Sequence, residues 1–210
     1  MLMRAPLVQP QLCLVTDPDM PDLLARIQYA LDAGINMLQL RGPQLSASQL
    51  YELARVVAPL CECYEVPLIV NDRLDVGLAV HASGFQLGQK SLPLPVARQL
   101  VGPQAYLGAS IHSVEEADSA WQQGADFLLA GTIFASASHP DGAVSGLELL
   151  RHIKASQSTC RLYAIGGITA AHAEQVMQAG ADGIAVISAI LRAKDVAASV
   201  KELRQAIGLS

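Results

Sequence analysis

The chain has 210 residues, of which 51% are hydrophobic and 16% charged, with 14 Lys and Arg against 19 Asp and Glu. This apolar balance excludes a disordered chain, and the length allows one large core that needs no metal or disulfide support. A net charge of −5 without any basic stripe argues against nucleic acid as a partner.

The five histidines are scattered, and no two have the close spacing of a zinc-binding helix, so no metal site is expected from them. The cysteines are Cys13, Cys61, Cys63 and Cys160. Their spacing fits neither a zinc knuckle nor a redox motif, so all four are read as buried, reduced thiols. Met1 to Pro10 contains no apolar run of the signal-peptide kind, and no stretch approaches the roughly 20 apolar residues of a membrane span. A cytoplasmic protein without membrane contact is expected.

Short aliphatic runs alternate with helix-period segments along the whole chain. Candidate strands are Leu12–Thr16, Asn36–Leu40, Pro67–Asn71, Phe85–Leu87, Tyr106–Ala109, Phe127–Ala130, Arg161–Ile165 and Gly183–Ile187. None alternates cleanly between polar and apolar, as expected of parallel strands covered on both faces. Between them, Asp22–Ala33 places Leu23, Leu24, Ile27 and Leu31 on one helical stripe, and Ala47–Cys61 does the same with Leu50, Leu53, Val57 and Leu60. Four strands follow a similar helix-ending turn with Gly34, Gly84, Gly124 or Gly180, each read as a left-handed residue closing the preceding helix. Eight such βα units predict a single-domain (β/α)8 TIM barrel over residues 1–210, with a doubly wound open sheet as the alternative.

In such a barrel the chemistry gathers on the loops that follow the strands. These loops carry Gln39 and Arg41, then Asn71, Asp72 and Arg73, then Gly88-Gln89-Lys90-Ser91, then Ser110 and His112, then Thr132 with Ser136 and Ser138. Gly166-Gly167 and Ile187-Ser188 complete the rim as candidate phosphate ligands, through bare backbone amides and a helix start. His112 is the acid–base candidate, because an imidazole both takes and returns a proton near neutral pH. It also reads as a residue beside the Ser113–Glu116 helix cap. Asp72 and Arg73 suit either an anionic substrate or rim ion pairs, and the 131–145 loop suits either a flap or a plain insertion.

These residues resemble the thiamin phosphate synthase and TenI superfamily over nearly the whole chain. The likeness is carried by Leu38-Gln39-Leu40-Arg41, Val70-Asn71-Asp72-Arg73, Phe85-Gln86-Leu87-Gly88-Gln89 and Ala109-Ser110-Ile111-His112-Ser113. It continues through Gly131-Thr132-Ile133-Phe134, Ala164-Ile165-Gly166-Gly167-Ile168 and Val186-Ile187-Ser188-Ala189-Ile190. The resemblance implies a (β/α)8 barrel acting on a thiazole phosphate, and a homodimer as in the family. It also implies one of two activities. The synthase couples a pyrimidine diphosphate to thiazole phosphate with loss of pyrophosphate and needs Mg²⁺, whereas the TenI-type tautomerase aromatises a thiazole carboxylate phosphate with a proton shuttle and no cofactor.

The chain departs from the synthase pattern at three charge-bearing positions and at two hydroxyl positions. Pro43 and His139 stand where lysines are expected, and Ser91 stands where a second metal aspartate is expected, with Ser136 and Ser138 in place of threonines. One preorganised group aimed at developing charge is worth roughly 3–4 kcal/mol, so these losses point to the tautomerase, with His112 as its acid–base. A Mg²⁺-dependent synthase is the alternative, and a non-catalytic regulator that binds thiazole phosphate is a further one.

Overall fold

The structure is a computed structural model and describes residues 7, 10–135, 144–157 and 159–209. Its elements run β1 (Gln11–Val15), α1 (Leu23–Asp32), β2 (Met37–Leu40), α2 (Ala47–Cys63), β3 (Leu68–Asn71), α3 (Leu74–Ala79), β4 (Gly84–Leu87) and α4 (Leu94–Val101). They continue with β5 (Tyr106–Ile111), α5 (Val114–Gln122), β6 (Phe127–Ala130), α6 (Gly146–Ser156), β7 (Leu162–Ile165), α7 (Ala170–Gln178), β8 (Gly183–Val186), α8 (Ser188–Leu191) and α9 (Val196–Ala206). Every predicted strand is present, with ends that differ by a residue or two.

Each strand pairs in parallel with its sequence neighbours, and β8 returns to β1 through Gln11↔Gly183 and Cys13↔Ala185. The sheet is a closed barrel, so the open-sheet alternative falls. Alternate residues of each strand divide between two cores, as period-2 geometry requires. Leu12, Leu14, Leu38, Leu68, Val70, Leu107, Leu128 and Ile184 face outward and pack under the helices. Cys13, Val15, Met37, Ile69, Tyr106, Phe127, Leu129, Tyr163 and Ala185 form a second cluster inside the barrel. With both faces buried, neither register of side chains needs to be polar, which is why the strands read as continuous aliphatic runs.

The helix stripes behave as expected: α1 buries Leu23, Ile27 and Leu31, and α2 buries Leu50, Ala54, Val57 and Cys61. Ser46 and Gln49 form a reciprocal capping box that starts α2. No helix among the described residues is long and apolar enough to cross a membrane.

At the N-terminal ends of the strands one device is used four times. Asn36 Oδ1 accepts the Leu12 N–H at 2.7 Å, Ser83 Oγ that of Leu68 at 3.2 Å, Asp126 Oδ2 that of Leu107 at 2.8 Å, and Asp182 Oδ2 that of Leu162 at 2.8 Å. In each case the residue just before an even strand satisfies a donor at the start of the preceding odd strand. The two aspartates also meet a cation: Arg98 lies 2.7 Å from Asp126, and Lys154 lies 2.6 Å from Asp182. Gly34, Gly124 and Gly180, with φ of 96°, 88° and 103°, turn the chain into this position as the sequence suggests. Gly84 departs from that reading. It lies inside β4 against Tyr106, where a Cβ would sit 2.5 Å from the Tyr106 carbonyl oxygen, and the left-handed residue of that turn is His81 at φ 53°.

Cys13, Cys61 and Cys160 are buried as expected, but Cys63 is exposed, because it lies two residues beyond Cys61 and so off the buried stripe of α2. Burial pushes the Cys13 and Cys61 thiols from 9.0 up to about 12. Both keep their protons above pH 9, where the unfolded chain loses them, so they favour folding below that pH and the advantage is lost as pH rises beyond it. An aromatic disulfide reagent at pH 8 should titrate one thiol in the native protein and all four in denaturant. Asp182→Ala removes the side-chain acceptor of the Leu162 N–H and leaves Lys154 with the Cys160 carbonyl but without its counter-charge, and should lower unfolding free energy by about 2–4 kcal/mol in urea titration. Adding Lys154→Met should recover part of that loss.

Candidate active site

The C-terminal ends of the strands surround a cavity of about 310 Å³. Gln39, Arg41, Asn71, Asp72, Ser110, His112, Thr132, Gly166, Gly167, Ile187 and Ser188 all line it, so residues spread along most of the chain converge as the barrel topology predicts. Ser136, Ser138 and His139 lie outside the described residues, as does most of the 131–145 loop. The lining also includes Leu129, Ile165, Ile168, Ala185 and Val186, which the reading of the sequence missed. Aliphatic residues carry no chemical signature, and only the inward register of β6, β7 and β8 could have pointed to Leu129, Ile165 and Ala185.

The cavity has two unlike halves. Gln39, Asn71, Asp72 and Ser110 give the β2–β5 side amides, a hydroxyl and a carboxylate, while Leu129, Ile165 and Ala185 make the β6–β8 side apolar. Such a floor suits a ring-bearing ligand with a few polar atoms.

Asp72 is held firmly. Its backbone is left-handed at φ 57°, its Oδ1 accepts the Gly88 N–H at 2.8 Å and the Ser91 hydroxyl, and its Oδ2 accepts from Asn71 Nδ2 at 2.7 Å. Ser91 thus contributes a donor to Asp72 where a second carboxylate was expected. Arg73 pairs with Asp75 at 2.5 Å and does not line the cavity, so for Arg73 the structural reading holds. That pair raises the Arg73 guanidinium and lowers the Asp75 carboxyl from their ordinary values. Arg41 is anchored through its backbone by Thr16 Oγ1 at 2.9 Å, and its guanidinium has no ion-pair partner among the described residues.

His112 joins both of its readings. It precedes the α5 N-cap Ser113, whose Oγ accepts the Glu116 N–H at 3.2 Å, and it also lines the cavity. The Glu116 carboxylate reaches past the cap to accept the His112 N–H at 2.7 Å, lies 3.4 Å from His112 Nδ1, and takes a third contact from Gln89 Nε2 at 3.0 Å.

Across the cavity the β6 and β7 loops lie against each other. Ile133 and Phe134 donate their N–H groups to Ile165 and Gly166 carbonyls at 3.0 Å. That contact is why the glycine pair is needed: a Cβ on Gly166 would lie 2.5 Å from Thr132 Cγ2, and one on Gly167 2.5 Å from the Ala135 carbonyl oxygen. Both also have positive φ, 103° and 64°. Ser188 opens the one-turn helix α8 at the cavity edge. The His172 ring packs against Phe134, with centroids 4.6 Å apart and the planes tilted by 33°.

A closed (β/α)8 barrel with polar and glycine-rich loops gathered over its C-terminal mouth is the architecture of a small-molecule enzyme. Residues 12–190 match the family described as thiamine monophosphate synthase, and the chain belongs to that family. A thiamine-phosphate synthase of Moorella thermoacetica is 45% identical over 185 residues, 88% of each chain. One from Pyrococcus abyssi is 39% identical over 197 residues, 94% of each. The solved thiamine phosphate pyrophosphorylase of Pyrococcus furiosus superposes with a TM-score of 0.87 at 37% identity, covering 94% of this chain and 95% of that one.

These relatives overturn the tautomerase expectation. At 39–45% identity over about nine tenths of the chain they carry the synthase name, and the departures at Pro43, Ser91 and His139 do not outweigh that likeness. Gly166→Ala should cost about 1–3 kcal/mol of stability through its backbone conformation and its contact with Thr132, read as a lower urea midpoint.

Proposed function

We propose that the chain is a thiamine-phosphate synthase, a transferase that joins a pyrimidine diphosphate to thiazole phosphate with release of pyrophosphate. The single observation that carries this reading is the placement of two phosphate-directed regions on one cavity: the Arg41 guanidinium on the β2 loop, with the Asp72 carboxylate of the β3 loop beside it as a cation ligand, and Gly166, Gly167, Ile187 and Ser188 on the β7 and β8 loops. The names of the relatives support it.

In this reading Gly166, Gly167, Ile187 and Ser188 grip the thiazole phosphate through backbone amides and the Ser188 hydroxyl. Gln39, Asn71, Ser110 and Thr132 orient polar ring atoms and phosphate oxygens, while Leu129, Ile165 and Ala185 exclude water from the apolar half. Arg41 faces the diphosphate, and His112 stands where it can hold or move a proton at the leaving group.

Magnesium fits the donors present. This hard cation is commonly held by one or two carboxylates together with phosphate oxygens and water, and Asp72 is the sole carboxylate among the described lining residues. Asp72 is also immobilised by Gly88, Ser91 and Asn71, which suits a ligand that must not reorganise. When bound, the ion offsets charge on the departing pyrophosphate. Arg41 supplies part of the same effect from the protein.

With both substrates and Mg²⁺, the purified protein should release pyrophosphate in a coupled phosphate assay, and chelation should stop it. Asp72→Ala should lower kcat/KM by about 100-fold or more. No pyrophosphate under any metal condition would end the synthase reading.

A further inference from the structure

Gln86 is wholly buried on the inner face of β4, yet it does not line the cavity. It stands in register with Gly108 on β5. A Cβ at position 108 would lie 2.3 Å from Gln86 Oε1 and 2.2 Å from the Phe127 ring, so the missing side chain there lets the Gln86 amide lie across β5. Its Nε2 then reaches the residue two places further on and donates to Ser110 Oγ at 3.0 Å.

The identity of the amide end follows from its surroundings. The same Nε2 is 3.5 Å from the Leu87 carbonyl oxygen, which can only accept, while Oε1 is buried with no partner among the described residues. A serine hydroxyl has one proton and two lone pairs. With a lone pair taken by Gln86, the Ser110 proton has no use on that side and is free for the cavity that Ser110 lines.

We infer that Gln86 is a positioning residue that directs the Ser110 hydroxyl proton into the ligand cavity, making Ser110 a donor to an acceptor atom of the substrate, such as a diphosphate oxygen. Leaving Oε1 buried and unpaired is costly, and an apolar residue would fill the same space without that cost. The amide is therefore explained by what it does to Ser110. The substrate named here rests on the synthase reading, whereas the hydroxyl's direction does not.

The test is a double-mutant cycle on kcat/KM with Gln86→Met, Ser110→Ala and the pair, repeated for affinity toward inorganic pyrophosphate by calorimetry. Each single change should cost about tenfold, the worth of one hydrogen bond, and the pair should be no worse than Ser110→Ala alone. Gln86→Glu, whose carboxylate accepts the serine proton, should match or exceed the Ser110→Ala loss despite its equal size. A melting curve on each variant separates these effects from unfolding. Multiplicative losses, or a fully active Gln86→Met protein, would overturn the inference. If the wild-type protein couples no substrates, the synthase reading fails by itself, and the pyrophosphate cycle then decides the role of Gln86 by the same two criteria.

Discussion

Everything in this molecule depends on filling the inside of a closed eight-stranded barrel. The Phe127 ring leaves no room for a side chain at the facing inward position, Gly108, and the adjoining strands leave none at Gly84 and Gly183. A Cβ on Gly84 would meet Tyr106, one on Gly108 would meet Phe127, and one on Gly183 would lie 2.4 Å from the Gln11 carbonyl oxygen. The interior is a close-packed solid in which one residue's bulk requires another's absence. The cavity begins where this filling stops.

The two ends of the barrel then divide the work. At the N-terminal end Asn36, Ser83, Asp126 and Asp182 tie each odd strand to the turn before the next even one, so polar side chains there serve closure. At the C-terminal end the polar side chains are held by neighbours and aimed at open space. Asp72 is gripped by Gly88, Ser91 and Asn71, and His112 is tethered through Glu116. Preorganisation of this kind lets a group meet developing charge without moving first.

Ser91 stands where a second carboxylate is expected, and in the folded chain its hydroxyl donates to the Asp72 carboxylate. A residue's contribution depends on what it touches, and that is invisible at the level of a motif with one letter changed. The likeness to the named relatives, by contrast, runs over about nine tenths of the chain, and so it outweighs three positions.

The strands, the barrel class and most of the rim were legible in the sequence, because aliphatic runs without polar alternation report burial on both faces and because βα connections put all strand ends on one side. Gln39, Arg41, Asn71, Asp72, Ser110, His112, Gly166, Gly167 and Ser188 could be named from that logic alone. Only the tertiary structure decided the rest. The apolar half of the cavity, the exposure of Cys63, the strand position of Gly84 and the reach of Gln86 across Gly108 to Ser110 all depend on inter-strand register. Register is set by packing between segments distant in sequence, which no local pattern encodes.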